Sequence, residues 1–257
     1  MTMKKGVVVF LDSLGTKNRN DKETEDFCDK KEAFLKDANE SWKIRQKQFN
    51  KDLGLGFHLP EPEIATFQDS IMICWSDKEQ KKEFLPMYLS AGQWLIDAIP
   101  LAMVEYDLFF RGSISVGNYI FKTSPNNVTI LGQAVYDAIN CERYADWIGV
   151  VQTPHCRDEY ELFLKSDAER RKEKFNPKYY EFLFVKYPVP LHKEKKEELY
   201  ASSWPFTACR IEKTKSIFQV LLDKSRVVDP KNRLKYANAH KFCEWYKREI
   251  FPQIPRQ

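Results

Sequence analysis

The stretch Val7–Thr16, Val-Val-Val-Phe-Leu-Asp-Ser-Leu-Gly-Thr, constrains the chain most. A short β-branched and apolar run ended by an acidic residue and a glycine predicts a buried strand that delivers a carboxylate, Asp12, to its C-terminal edge. A lone strand-terminal aspartate often only caps the next helix. Its chemical meaning depends on a second carboxylate arriving from elsewhere. Ile64–Trp75, Ile-Ala-Thr-Phe-Gln-Asp-Ser-Ile-Met-Ile-Cys-Trp, reads as two strands joined at a tight turn with Gln68-Asp69 at its tip, and makes Asp69 the candidate partner.

Between them, Asn18 to Asp52 carries Phe27, Phe34, Leu35, Ala38, Trp42, Ile44 and Phe49 on a roughly helical period, which predicts one long amphipathic helix ended by Gly54, Gly56, Pro60 and Pro62. A second helix is expected from Asp77, with a bend or break near Pro100. Leu108–Lys122 reads as a strand pair that reverses at Gly117, with residues 124–127 as a loop. Gly132–Asp146 is a third predicted helix and Trp147–Val151 a strand. Together these give an α+β chain, a ferredoxin-like βαββαβ palm with its helices on one face. The expected palm core covers residues 1–155, and 156–257 form the rest of the same domain. That part is expected to hold a charged helix (Asp158–Lys174), a strand (Tyr180–Tyr187), a solvated loop or helix end over Lys193–Glu198, and a closing amphipathic helix (Asn232–Ile250).

Composition narrows the function classes. The 41 basic and 37 acidic residues give a net charge of +4, and the aromatics are not interleaved with a basic patch, which argues against nucleic acid. No apolar run approaches the roughly 20 residues of a bilayer span, so no membrane partner is expected. There is no hydrophobic leader with a small-residue cleavage site, so six scattered cysteines read as reduced thiols of a cytoplasmic chain. They form no C-x-x-C pair, and the four histidines have no ligand spacing. A metal here has to be a hard cation held by oxygen. No G-x-x-x-x-G-K run is present, which argues against a P-loop.

A palm of this kind sets the end of its first strand beside the turn between its second and third. Two carboxylates forced together repel and are relieved by a divalent cation, Mg²⁺ or Mn²⁺, with nucleotide phosphates supplying further oxygens.

At these residues the chain resembles the class III nucleotidyl cyclases. Phe10-Leu-Asp12-Ser-Leu-Gly15-Thr16 is similar to that family's first metal motif and Phe67-Gln-Asp69-Ser-Ile-Met to its second. Arg111-Gly-Ser-Ile-Ser-Val-Gly117 matches the Arg-x-Gly-Ile-x-x-Gly strand in spacing, with Ser113 at the first glycine. Gly132-Gln-Ala-Val135 stands where these cyclases have Gly-x-x-Val. The resemblance spans about the first three-fifths of the chain. Two positions that read purine bases in the family are Ala65 and Thr129 here, so neither purine signature is present. With an unfused domain and a loose motif set, the chain looks closest to the bacterial Pycsar pyrimidine cyclases.

The resemblance implies a lyase that converts UTP or CTP to the 3′,5′-cyclic monophosphate and diphosphate, as an anti-phage alarm read by a separate cyclic-nucleotide-binding effector. It implies two divalent ions, Mn²⁺ or Mg²⁺, on Asp12, Asp69 and the Ser13 carbonyl, and a head-to-tail homodimer that completes each site. Phe10, Thr66, Phe67 and Thr129 are the implied substrate-pocket residues. The family's catalytic Asn and Arg fall at Tyr136 and Asn140, neither of which is a cation. Arg111 and Arg143 are therefore the candidates for that work, with Lys213 and Lys215 as further candidates for the triphosphate. The alternatives are an inactive nucleotide sensor on the same palm and a purine (adenylate) cyclase.

Overall fold

In the computed structural model, which describes residues 3–16, 19–53, 59–76, 84–125, 127–170, 182–192, 195–210 and 216–254, the opening stretch is a central strand, β1 (Lys4–Ser13). It is flanked by β3 (Ser70–Ser76) on one side and β4 (Phe110–Ser124) on the other, both antiparallel to it. β2 (Glu63–Phe67) closes the hairpin onto β3. With α1 (Asp21–Leu53) after β1 and α2 (Phe84–Glu105) after β3, the order β2-β3-β1-β4 is the ferredoxin-like βαββαβ palm. A central strand covered on both faces has no polar side to show, which is why Val7–Leu11 is uninterrupted apolar sequence.

The pleat divides that run. Val7, Val9 and Leu11 face one core with α1 and α2, while Val8 and Phe10 face a second core. Covering the second core is α3 (Gln133–Glu142), so helices occupy both faces, not one as the sequence suggests. β4 is a single fifteen-residue strand that continues past Gly117, and the reversal comes later, where β5 (Asn127–Leu131) pairs back onto Ile120–Ser124. Gly117 (φ +146°) lies under Ala134 of α3, and a Cβ on Gly132 (φ +140°) would meet the Asn118 carbonyl oxygen at 2.4 Å. These two glycines let α3 enter close against the sheet. Ser113, small where the motif has glycine, donates its hydroxyl to the Ala138 carbonyl of α3.

α1 begins with a reciprocal cap. Asn20 Oδ1 accepts from the Glu23 N–H and the Glu23 carboxylate accepts from the Asn20 N–H, each at 3.0 Å. Its buried stripe is Phe27, Lys31, Phe34, Ala38 and Trp42. α2 runs on through Pro100. By length and composition it could cross a bilayer, yet most of it is buried in the core. The expected start of this helix at Asp77 lies outside the described residues, as do Gly54 and Gly56.

β6 (Gly149–Gln152) adds to β4 in parallel, and β8 (Lys196–Ser202) and β7 (Phe184–Pro190) continue the same sheet. Lys196–Glu198, read as loop, is strand paired with β7. Around these pack α4 (Pro154–Arg170), α5 (Pro205–Arg210), α6 (Ile217–Val227) and α7 (Pro230–Trp245). α7 passes into a π-helical turn over Tyr246–Ile250.

Candidate active site

The register builds the site. Phe67 lies opposite Ser70, Ser70 opposite Asp12, and Asp12 opposite Arg111. Directly opposed residues share a face, so these four form one row across β2, β3, β1 and β4. The row is on the side that α3 covers, just beyond its C-terminal end. Arg111 Nη2 reaches Asp12 Oδ2 at 3.4 Å, and the Ser70 hydroxyl lies 3.3 Å from Asp12 Oδ1.

The hairpin tip is tied down from three directions. The Ser13 N–H donates to the Asp69 carbonyl at 3.1 Å, and the Thr16 hydroxyl donates to the Asp69 carboxylate at 2.6 Å. Lys31, only 6% exposed on the apolar stripe of α1, donates its ammonium to the Gln68 carbonyl. Gln68 sits at φ +46°, a left-handed conformation that suits a tight turn. The expected pair is therefore brought to one sheet edge. Burial raises the Asp12 carboxyl above its ordinary range, the nearby Asp69 charge raises it further, and Arg111 opposes both.

Glu142, the last residue of α3, also belongs to the site. Its carboxylate is 3% exposed and pairs with Arg111 Nε. Among the described residues, neither Glu142 Oε1 nor Arg111 Nε has a hydrogen-bond partner beside this ion pair. Burial pushes the Glu142 carboxyl to about 7, with Arg111 pulling down and Asp12 pushing up. Lys235 of α7 completes the charge set. Burial and the Arg111 cation lower its ammonium pKa, while Asp146, Asp12 and Glu142 oppose that shift.

Among the described residues no three His, Cys, Asp or Glu side chains gather as a ready metal cage. A hard divalent cation needs less. Magnesium is commonly held by one or two carboxylates plus substrate phosphate oxygens and water. Asp12 and Asp69, repelling one another on one edge, suit that donor chemistry.

The other predicted residues divide. Phe67 ends the row and is 42% exposed. Thr66 is one residue off it, opposite Ile71 of the α1/α2 core, and so projects from the other face. Phe10 lies beneath α3 in the second core, packed rather than open. Thr129 pairs with Lys122, eleven residues along β4 from Arg111, or roughly 35 Å at ~3.3 Å per residue. It does not meet Asp12 within one chain. Arg143 is exposed just past α3, Tyr136 is 64% exposed on it, and Asn140 lines a groove of ≈ 520 Å³ with Tyr144, His155 and Leu199. Lys213 and Lys215 lie outside the described residues. Sequence reasoning missed Glu142, Lys31 and Lys235. For Lys31 a signal existed, because the residue continues the i, i+3, i+4 apolar stripe from Phe27 to Phe34.

No family model matches the chain, and no curated protein matches it. Among solved structures it is similar to the dimeric guanylyl cyclase domain of the RhoGC fusion protein from the aquatic fungus Blastocladiella emersonii, at 14% identity and a TM-score of 0.42, covering 79% of this chain and 98% of that one. It is also similar to the guanylyl cyclase Cya2, at 10% identity and a TM-score of 0.27, covering 78% and 91%.

Proposed function

We propose that the chain is a nucleotidyl cyclase acting on a pyrimidine nucleoside triphosphate, UTP or CTP. The observation that carries this reading is the pair Asp12 and Asp69, delivered to one sheet edge with Arg111 beside them. In the reaction the ribose 3′-oxygen forms a bond to the α-phosphorus, the bond to the diphosphate oxygen breaks, and the hydroxyl proton passes to water. Asp12 and Asp69, with the Ser13 carbonyl, would hold divalent cations, Mn²⁺ or Mg²⁺. Such cations lower the pKa of a bound hydroxyl and neutralise phosphate oxygens. Arg111 supplies a fixed positive charge toward the transferring phosphate. Phe67, apolar and open at the end of the row, offers a face to a base. Ala65 and Thr129 lack the side chains that read purines in the resembling family, which favours a pyrimidine.

The roughly 35 Å between Asp12 and Thr129 supports a head-to-tail homodimer, in which the β4–β5 arm of a second copy covers the site. The product would act on a separate cyclic-nucleotide-binding effector in the cytoplasm, as an anti-phage signal. A second reading, a nucleotide sensor without turnover, is favoured by Tyr136 and Asn140, which leave α3 with no cation at those positions.

Incubating the protein with Mn²⁺ and each of the four ribonucleoside triphosphates, then identifying products by mass spectrometry, separates the readings. Cyclic UMP or cyclic CMP is expected. A purine product would overturn the base assignment. Nucleotide binding with no product would favour the sensor.

A further inference from the structure

Arg111 stands between two carboxylates. The register fixes it opposite Asp12, with Cβ atoms about 4.5–5.5 Å apart. From there a guanidinium would be expected to clamp the carboxylate through two parallel hydrogen bonds. Instead the contact with Asp12 is a single long one of 3.4 Å, and Nε turns to Glu142. Two features of Glu142 disfavour a charge there on structural grounds alone. It is almost wholly buried, and it ends a helix, where the backbone dipole disfavours a carboxylate.

We propose that Glu142 is a positioning residue that holds Arg111 off Asp12, leaving the Asp12 carboxylate open to a divalent cation. This rests on the cation-dependent reading above. It assigns Glu142 no contact with substrate. Its effect on the cation passes chiefly through Arg111.

Mn²⁺ binding without nucleotide, read from the free-Mn²⁺ electron paramagnetic resonance signal at pH 8, tests this in a double-mutant cycle on the full chain. Glu142→Gln should weaken Mn²⁺ binding about tenfold, because Arg111 then closes on Asp12. Arg111→Met should tighten it. In the Arg111→Met background, Glu142→Gln should change it by less than about twofold. Glu142→Asp keeps the charge on a shorter arm and should give an intermediate loss, which provides a second readout if the glutamine variant folds poorly. An unchanged affinity in Glu142→Gln would overturn the inference, as would an equal loss in both backgrounds, the mark of a charge acting directly. Wild-type protein that binds no Mn²⁺ would instead overturn the cation-dependent reading, and the inference with it.

Discussion

Replacing Glu142 with glutamine removes one buried charge while keeping shape, and the structure sets the size of the effect on stability. The carboxyl is raised from an ordinary 4.5 to about 7, chiefly by burial, and its side chain is 3% exposed. At about 1.36 kcal/mol per unit, its ionised form costs the fold about 3 kcal/mol. The sign follows from proton uptake. Between pH 4.5 and 7 the folded chain keeps a proton that the unfolded chain has released, so stability falls as pH rises through that window and levels off above it. Glutamine has no such dependence. About 2.5 kcal/mol of this develops between pH 5 and pH 8, so at ~2–4 °C per kcal/mol for a chain of this size the melting temperature of Glu142→Gln relative to wild type should rise by about 5–10 °C over that range. Scanning calorimetry of both proteins at the two pH values reads this directly. In the variant Arg111 closes on Asp12 and opposes its upward shift, which adds to the difference in the same direction. A melting difference that stays within about 1 °C across the range would refute the buried, raised carboxyl.

Asp12→Asn should abolish product formation, yet raise the melting temperature at pH 8, since the raised Asp12 carboxyl costs stability when ionised; a pH-independent loss of stability would contradict this. Thr16→Val removes the 2.6 Å hydroxyl bond that aims Asp69, a charge-assisted bond of about 1.5–3 kcal/mol, and should lower turnover at least tenfold with the helix content unchanged by circular dichroism. Full turnover would show that Asp69 needs no aiming. Gly112→Ala would bring a Cβ within 2.3 Å of the Phe10 carbonyl oxygen and 2.8 Å of Leu11 Cδ2, and should lower stability by about 1–3 kcal/mol in thermal melts. An unchanged melt would mean that β1 and β4 can part at this point.

The palm was legible because its strands announce themselves. A run buried on both faces, Val7–Leu11, and a hairpin with Gln68-Asp69 at its tip have few other readings, and between them they fix which edge carries the carboxylates. The glycines misled. Gly117 reads as a reversal, but the glycine serves close packing under Ala134, a cause that lies in a helix starting sixteen residues further on. Lys196–Glu198 reads as loop because charge runs are usually solvated. They are solvated here too, but on a strand whose pairing with Pro188–Pro190 no local pattern reveals. Thr66 and Phe67 show the limit most sharply. They are sequence neighbours, yet the pleat sends them to opposite faces, and only the register with Ile71 and Ser70 says which one shares the face of Asp12. Glu142 was hidden for a different reason. A glutamate at a helix end has every appearance of a surface charge until the sheet and Arg111 enclose it.

In the proposed reaction Asp12 and Asp69 together support cation-dependent turnover of a pyrimidine triphosphate. The most direct test is the yield of 3′,5′-cyclic monophosphate from UTP and CTP with Mn²⁺, measured for wild-type protein and Asp69→Asn side by side. Cyclic product from one of the two substrates is expected with wild type, none after chelation of the metal, and a loss of at least a hundredfold in the variant. Equal yields from wild type and Asp69→Asn would contradict it.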